Sequence, residues 1–323
     1  MAGRGVPRWV GLSTKLTNLL TDVWHNCKIT SVVKRYTYEL APALRELSPD
    51  PLKLLVVQHV PGTDGGLITE LALATGIEVV TVGPVTGIEV PGDLASYDGV
   101  VVLGGPGGPI DDHDSPWLPA VRGLIARSLS ARLPLLGICL GAELLAHVAG
   151  GTVGPAEAGP EIGLTRFQLL PAAADDALFA AHPSNLAAVQ WHSLQITRLP
   201  AGAIALAGNG HSPYQAFRVG ISAWGLQFHP EALSATAERW SEGEEAELGA
   251  VGLNARGMVA EIAQAEAELR SSWTRLFNNW FVVMAKHRRE RLNAVGARGE
   301  LEPACQSTDR SSRPIAKPSR TST

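Results

Sequence analysis

The chain has 323 residues, 45% of them hydrophobic and 18% charged, enough to bury at least one full α/β core. Lys and Arg total 27 against 31 Asp and Glu, and the resulting formal charge of −4 supplies no basic field for nucleic acid. No apolar run approaches the roughly 18 residues of a membrane span, and Arg4 and Arg8 precede no apolar stretch, so neither a membrane segment nor a secretory signal is expected.

Residues 1–51 form an N-terminal extension whose pattern favours no single structure, closed by the breaker Ser48-Pro49-Asp50-Pro51. Residues 52–233 read as alternating strand and helix. Leu52–Val57 is an apolar run of strand length, Leu67–Ala74 a short helix stopped by Gly76, and Ile77–Val82 a β-branched strand. Gly99–Leu103 is a further strand running into a glycine-proline loop, and Trp117–Leu129 has helical spacing. Leu133–Ile138 is a buried strand, followed by a helix over Leu140–Ala149 that Gly150-Gly151 terminates.

Residues 234–293 read as helical. Met258, Ile262, Ala265, Leu269, Trp273, Leu276 and Trp280 recur at three- and four-residue spacing, with Phe277 and Phe281 widening the stripe. That stripe fits either docking on the sheet or an interface with another chain. Residues 294–323 are rich in Ser, Thr, Pro and Arg and are expected to be disordered.

Continuous apolar strands separated by helices imply an α/β fold, a mostly parallel central sheet with helices on both faces. Ligands of such sheets bind beyond the carboxyl ends of the strands. His59, the 104–109 loop and Cys139 all fall there.

Cys139 sits between a strand and a helix, with Gly137 and Gly141 two residues to either side. A sharp strand-to-helix turn needs such small neighbours, and a helix start behind the sulfur favours thiolate over thiol. The competing reading is a buried cysteine that only packs. The three cysteines, Cys27, Cys139 and Cys305, form no C-x-x-C pair, which fits a reducing cytoplasm. The loop Gly104-Gly105-Pro106-Gly107-Gly108-Pro109 lets backbone N–H groups approach a developing oxyanion, or is a plain tight turn. It lacks the lysine of a P-loop. In Phe228-His229-Pro230-Glu231 the carboxylate can lie on the imidazole's side of an extended segment and orient it, which raises His229 above the other histidines as a base.

Gly105-Pro106-Gly107, Gly137-Ile138-Cys139-Leu140-Gly141 and Phe228-His229-Pro230-Glu231, in this order, resemble the class I glutamine amidotransferase family over about residues 52–233. The resemblance implies a flavodoxin-like fold and a Cys-His-Glu triad. In it Cys139 attacks the side-chain amide of glutamine, His229 protonates the departing ammonia and Glu231 holds His229. The backbone N–H groups of Gly105 and Leu140 would stabilise the oxyanion, and water would release glutamate from a thioester. Gly107, Glu143, Ser193 and Leu194 carry over as substrate-contact positions. No cofactor and no metal is implied.

Glu143 departs from the family, which usually has glutamine four residues after the nucleophile, and this puts free glutamine as the substrate in question. No ATP-binding module is legible, so the chain looks like a stand-alone member served by a separate synthetase partner or acting as a homodimer. Three functions are carried forward: a glutaminase-type amidotransferase, a γ-glutamyl peptidase, and a non-catalytic regulatory subunit retaining the fold. A small γ-glutamyl substrate, no nucleic acid and no membrane are the expected partners, in the cytoplasm. Among the features set aside, Asp111-Asp112-His113-Asp114 reads as a solvated loop before a helix starting after Ser115 with Pro116 in its first turn. His192 is a rival base to His229, and Lys286-His287-Arg288-Arg289 suits a helix C-terminus.

Overall fold

The computed structural model describes residues 40–299, so most of the N-terminal extension and the tail from 300 onward lie outside it. Residues 40–47 are helical, and Leu40 and Leu44 are buried against the main core, giving the end of the extension a definite structure. The first half of the sheet forms from the predicted elements: β1 (Lys53–Val57), α1 (Gly66–Ala74), β2 (Glu78–Val82), β3 (Gly99–Val102), α2 (Leu118–Ala131), β4 (Leu135–Ile138) and α3 (Leu140–Val148). The helix after the acidic loop starts later than the sequence suggested, at Leu118, with Pro119 rather than Pro116 in its first turn.

Strands β2, β1, β3 and β4 pair in parallel, because each connection carries the chain back across a face of the sheet. Alternate side chains divide between two cores. Leu54, Val56, Val101 and Leu136 pack with α1 on one face. Leu55, Val57, Val100, Val102 and Leu135 pack with α2 and α3 on the other.

The expected alternation of strand and helix ends at Val148. The chain continues as β5 (Thr152–Pro155), β6 (Glu161–Leu169), a 3₁₀ turn (Pro171–Asp175), β7 (Asn185–His192), β8 (Leu194–Arg198), β9 (Ile204–Gly208), β10 (Ala216–Val219) and β11 (Ala223–Leu226). Several of these connections are too short for a crossover helix, as between β10 and β11, so such strands pair antiparallel. The sheet order is β2-β1-β3-β4-β11-β10-β9-β6-β7, with β11 returning parallel to β4, and β5 and β8 form a separate pair. Past β11 the chain remains extended, and His229 bridges to Val189 of β7, so this half of the sheet curls toward closure.

The C-terminal region forms α4 (Ser234–Ser241), α5 (Glu245–Ala250) and the 45-residue α6 (Ala255–Gly299), which runs six residues past the predicted helical limit of 293. Helix α6 packs on α1, α4, β6 and β7. Its stripe is consumed there: Trp273, Leu276, Phe277, Trp280 and Phe281 are fully buried, so docking rather than an open interface accounts for it. No helix among the described residues is long and apolar enough to cross a membrane.

Candidate active site

Cys139 is the last residue before α3 and has φ 51° and ψ −112°, a conformation L-residues rarely adopt. The turn is possible because of its glycines. A Cβ on Gly137 would stand 2.4 Å from the Gly141 carbonyl oxygen, and one on Gly141 would stand 2.0 Å from that of Val102. The Cys139 N–H donates to the Leu226 carbonyl at 2.8 Å, tying the elbow to β11. The backbone N–H of Leu140 opens α3 directly behind the sulfur.

His229 is placed by its backbone, which donates to Val189 O at 2.9 Å. Pro230 then turns the chain, and the Glu231 carbonyl accepts the Leu67 N–H at the start of α1 at 3.0 Å. Glu231 is thereby fixed with Oε1 at 2.7 Å from His229 Nδ1. His229 Nε2 has no other hydrogen-bond partner among the described residues, and the Cys139 thiol lies alongside the ring in charge and hydrogen-bond contact with it. Trp240 of α4 packs edge-on against the imidazole, with centroids 4.7 Å apart, and anchors its own indole N–H on Gly62 O.

Burial alone would lower His229, but the Glu231 carboxylate and the Cys139 sulfur outweigh it and raise the imidazole to about 10. Burial pushes the Cys139 thiol up, and the neighbouring imidazole only partly offsets this. The direction that governs the pair is the imidazole's: with Glu231 holding a proton on His229, that proton can stabilise a thiolate at Cys139 or pass to a leaving group.

The glycine loop lies against this pair. A Cβ on Gly104 would meet His229 Cε1 at 2.8 Å and Cys139 Cβ at 3.3 Å, so only glycine allows so close an approach. Gly105 lies between His59 and Leu140. Its N–H and that of Leu140 have no intramolecular acceptor among the described residues. Asp111, read from sequence as loop, closes the turn by accepting the Gly108 N–H at 2.6 Å. Asp112 pairs with Arg122 at 2.7 Å. His59 Nδ1 accepts the Trp117 indole N–H at 3.0 Å, and burial lowers the ring to about 4, so it is a neutral wedge behind the loop.

Of the remaining predicted positions, Glu143 lies one helical turn beyond Cys139, 2% exposed, accepting a hydrogen bond from Gln227 Nε2 at 3.0 Å. Ser193 and Leu194 follow β7 on the opposite wall, where the Trp191 carbonyl is 3.9 Å from Cys139 Sγ. Leu194 Cδ1 reaches the Gly107-Gly108 turn. His192 is near the site but has its Nδ1 on the Leu194 carbonyl at 2.7 Å and its Nε2 against Glu161 at 3.2 Å, which leaves no ring nitrogen for the thiol. Gln227, Asp111 and Trp240 carried no sequence signal of their own, because each reaches the site only through the packing of a separate element.

Residues 67–240 match the family model described as glutamine amidotransferase class-I. The chain belongs to the class I glutamine amidotransferase family. It is 39% identical over 144 residues to the glutamine-hydrolysing GMP synthase of Porphyromonas gingivalis, covering 44% of this chain and 26% of that one. The chain thus spans about a quarter of that enzyme's length. It is 33% identical over 181 residues to a separate glutamine-hydrolysing GMP synthase subunit from Sulfolobus acidocaldarius, covering 56% of this chain and 89% of that one. To γ-glutamyl peptidase 5 of Arabidopsis thaliana it is 30% identical, over 43% of this chain and 55% of the other. Among solved structures, a glutamine amidotransferase from Thermotoga maritima superposes with a TM-score of 0.66 at 27% identity, covering 72% of this chain and 99% of that one. In this family member, α6 lies outside the matched region, while the elbow, the glycine loop and the His229-Pro230-Glu231 segment all lie within it.

Proposed function

We propose that this amidotransferase hydrolyses γ-glutamyl amides through a thioester on Cys139, with His229 as proton carrier and Glu231 as its orienting carboxylate. The observation that carries the reading is the coupled Glu231–His229–Cys139 arrangement on a strained elbow. Cys139 Sγ attacks the γ-carbonyl carbon, and the oxyanion is met by the Gly105 and Leu140 N–H groups. His229 gives its proton to the leaving nitrogen, and the C–N bond breaks. Water then attacks the thioester, His229 takes its proton, and glutamate leaves with Cys139 restored.

Glutamine is the first substrate to test, and a separate synthetase partner would consume the ammonia. The buried carboxylate of Glu143 favours a second substrate class, a γ-glutamyl peptide or amide whose amine carries positive charge. Incubating purified protein with glutamine, γ-glutamyl dipeptides and glutathione, and measuring glutamate released, tests both. Wild type should release glutamate from at least one, and Cys139→Ala from none. No release from any substrate, with or without candidate synthetases, sinks the proposal.

A further inference from the structure

A second buried His–carboxylate pair stands on the wall opposite the elbow. Glu161 opens β6 and His192 ends β7, and the two are register partners across the antiparallel ladder, so their side chains project side by side. Each is buried, at 5% and 6% exposure, and Nε2 of His192 lies 3.2 Å from Oε2 of Glu161. Such a pair is expensive to bury unless its remaining polar atoms are satisfied. Glu161 meets that condition: Thr165 Oγ1 and Asn209 Nδ2 donate to Oε1 at 2.9 and 2.7 Å, and Gln215 Nε2 donates to Oε2 at 2.7 Å. Burial would raise its carboxyl, but the bonds from His192, Asn209 and Thr165 outweigh that and hold it below its ordinary value.

The other end of the imidazole points at function. His192 Nδ1 lies 2.7 Å from the carbonyl oxygen of Leu194, across Ser193, so the ring staples the turn between β7 and β8. The Ser193 carbonyl is held separately by the Ala156 N–H at 3.0 Å. One residue before the staple, the Trp191 carbonyl faces Cys139 Sγ, and just after it the Leu194 side chain touches the glycine loop. The stapled turn therefore spans the site from sulfur to loop. The network also reaches the elbow side: Gln215 accepts from Gln190 and from the Gln227 backbone, and Gln227 donates to Glu143.

We propose that Glu161 and His192 are a positioning pair that holds the Trp191–Leu194 turn in the geometry that grips the γ-glutamyl group, setting affinity without taking part in bond making. It rests on the reading of Cys139 as the nucleophile for a γ-glutamyl substrate. A pair of this kind acts on substrate binding rather than on the thiolate, since neither ring nitrogen of His192 is free for Cys139.

The test uses the full chain and the variants Glu161→Gln and His192→Asn. Asn209→Ala, which only loosens the outer side of Glu161, carries the test if either of these fails to fold. KM for the γ-glutamyl substrate should rise about tenfold or more in the first two and less in Asn209→Ala, with kcat changed by less than about threefold. Labelling of Cys139 by the γ-glutamyl diazoketone analogue of glutamine should need correspondingly more reagent. Alkylation by iodoacetamide, which reads the thiolate alone, should keep its wild-type rate. An unchanged KM and diazoketone requirement overturns the positioning pair, and so does a fall in kcat or iodoacetamide rate that parallels the loss. Wild-type protein that the diazoketone does not label removes the reading of Cys139 itself, and the pair with it. Labelled wild type with unshifted variants removes the pair alone.

Discussion

At the residue scale, the most informative side chain is Glu143. Burial raises its carboxyl to about 7 from 4.5, in spite of the hydrogen bond from Gln227 and the field of His229. The folded protein therefore holds this proton more tightly than the unfolded chain. Stability falls as pH rises from about 4.5 to about 7, and above that the carboxylate is a full penalty of about 3 kcal/mol. Glu143→Gln should thus leave stability nearly unchanged below pH 4.5 and raise it by up to about 3 kcal/mol at pH 8. Urea denaturation at the two pH values reads this, and an equal gain at both would contradict it. The same variant should shift turnover toward glutamine over γ-glutamyl peptides at pH 8, where the wild-type carboxylate is charged. An unaltered ratio would remove Glu143 from substrate choice.

The elbow is a property of elements rather than of the cysteine. Helix α3 starts where it does because β4 ends in a turn that two glycines make passable, and β3 lies too close for any larger residue at 141. The Val102 carbonyl that a Cβ on Gly141 would strike is backbone inside a parallel ladder and cannot swing aside. Gly141→Ala is expected to destabilise by about 3 kcal/mol or more and to slow alkylation of Cys139 as the elbow shifts. Gly76→Ala makes the control: its φ is +83° but nothing lies within 4 Å, so only about 1 kcal/mol of backbone strain should appear. Chemical denaturation of both variants checks the contrast, and a Gly141→Ala protein as stable as Gly76→Ala would show that β3 can yield.

For the whole molecule, α6 is the element that sets this chain apart from the region its family model covers. It closes the face of the sheet that β6, β7 and α1 would otherwise expose, stacking Trp273 on Phe228 at 4.9 Å, next door to His229. Arg288 and Arg291 near its far end bracket Asp98, which in turn caps the start of β1. Trp273→Ala should cost about 3–5 kcal/mol, and the folded fraction that survives should still be labelled at Cys139. A calorimetric melt alongside stoichiometric labelling separates the two effects, and a melt unchanged from wild type would mean that α6 is dispensable to the core.

The order of elements through Val148 was legible because its strands are β-branched runs and its helices end at glycines. The antiparallel half was harder to read, since strands such as β6 are half-buried and carry polar residues that blur the period. The chain by itself determined the family, the elbow at Cys139 and the pairing of His229 with Glu231, because each depends on chemistry within a few residues. Which histidine faces the sulfur, how Asp111 and Gln227 enter, why Glu161 and His192 meet and what α6 covers were decided only by tertiary structure. These depend on strand order and register, which bring together residues that no local pattern relates.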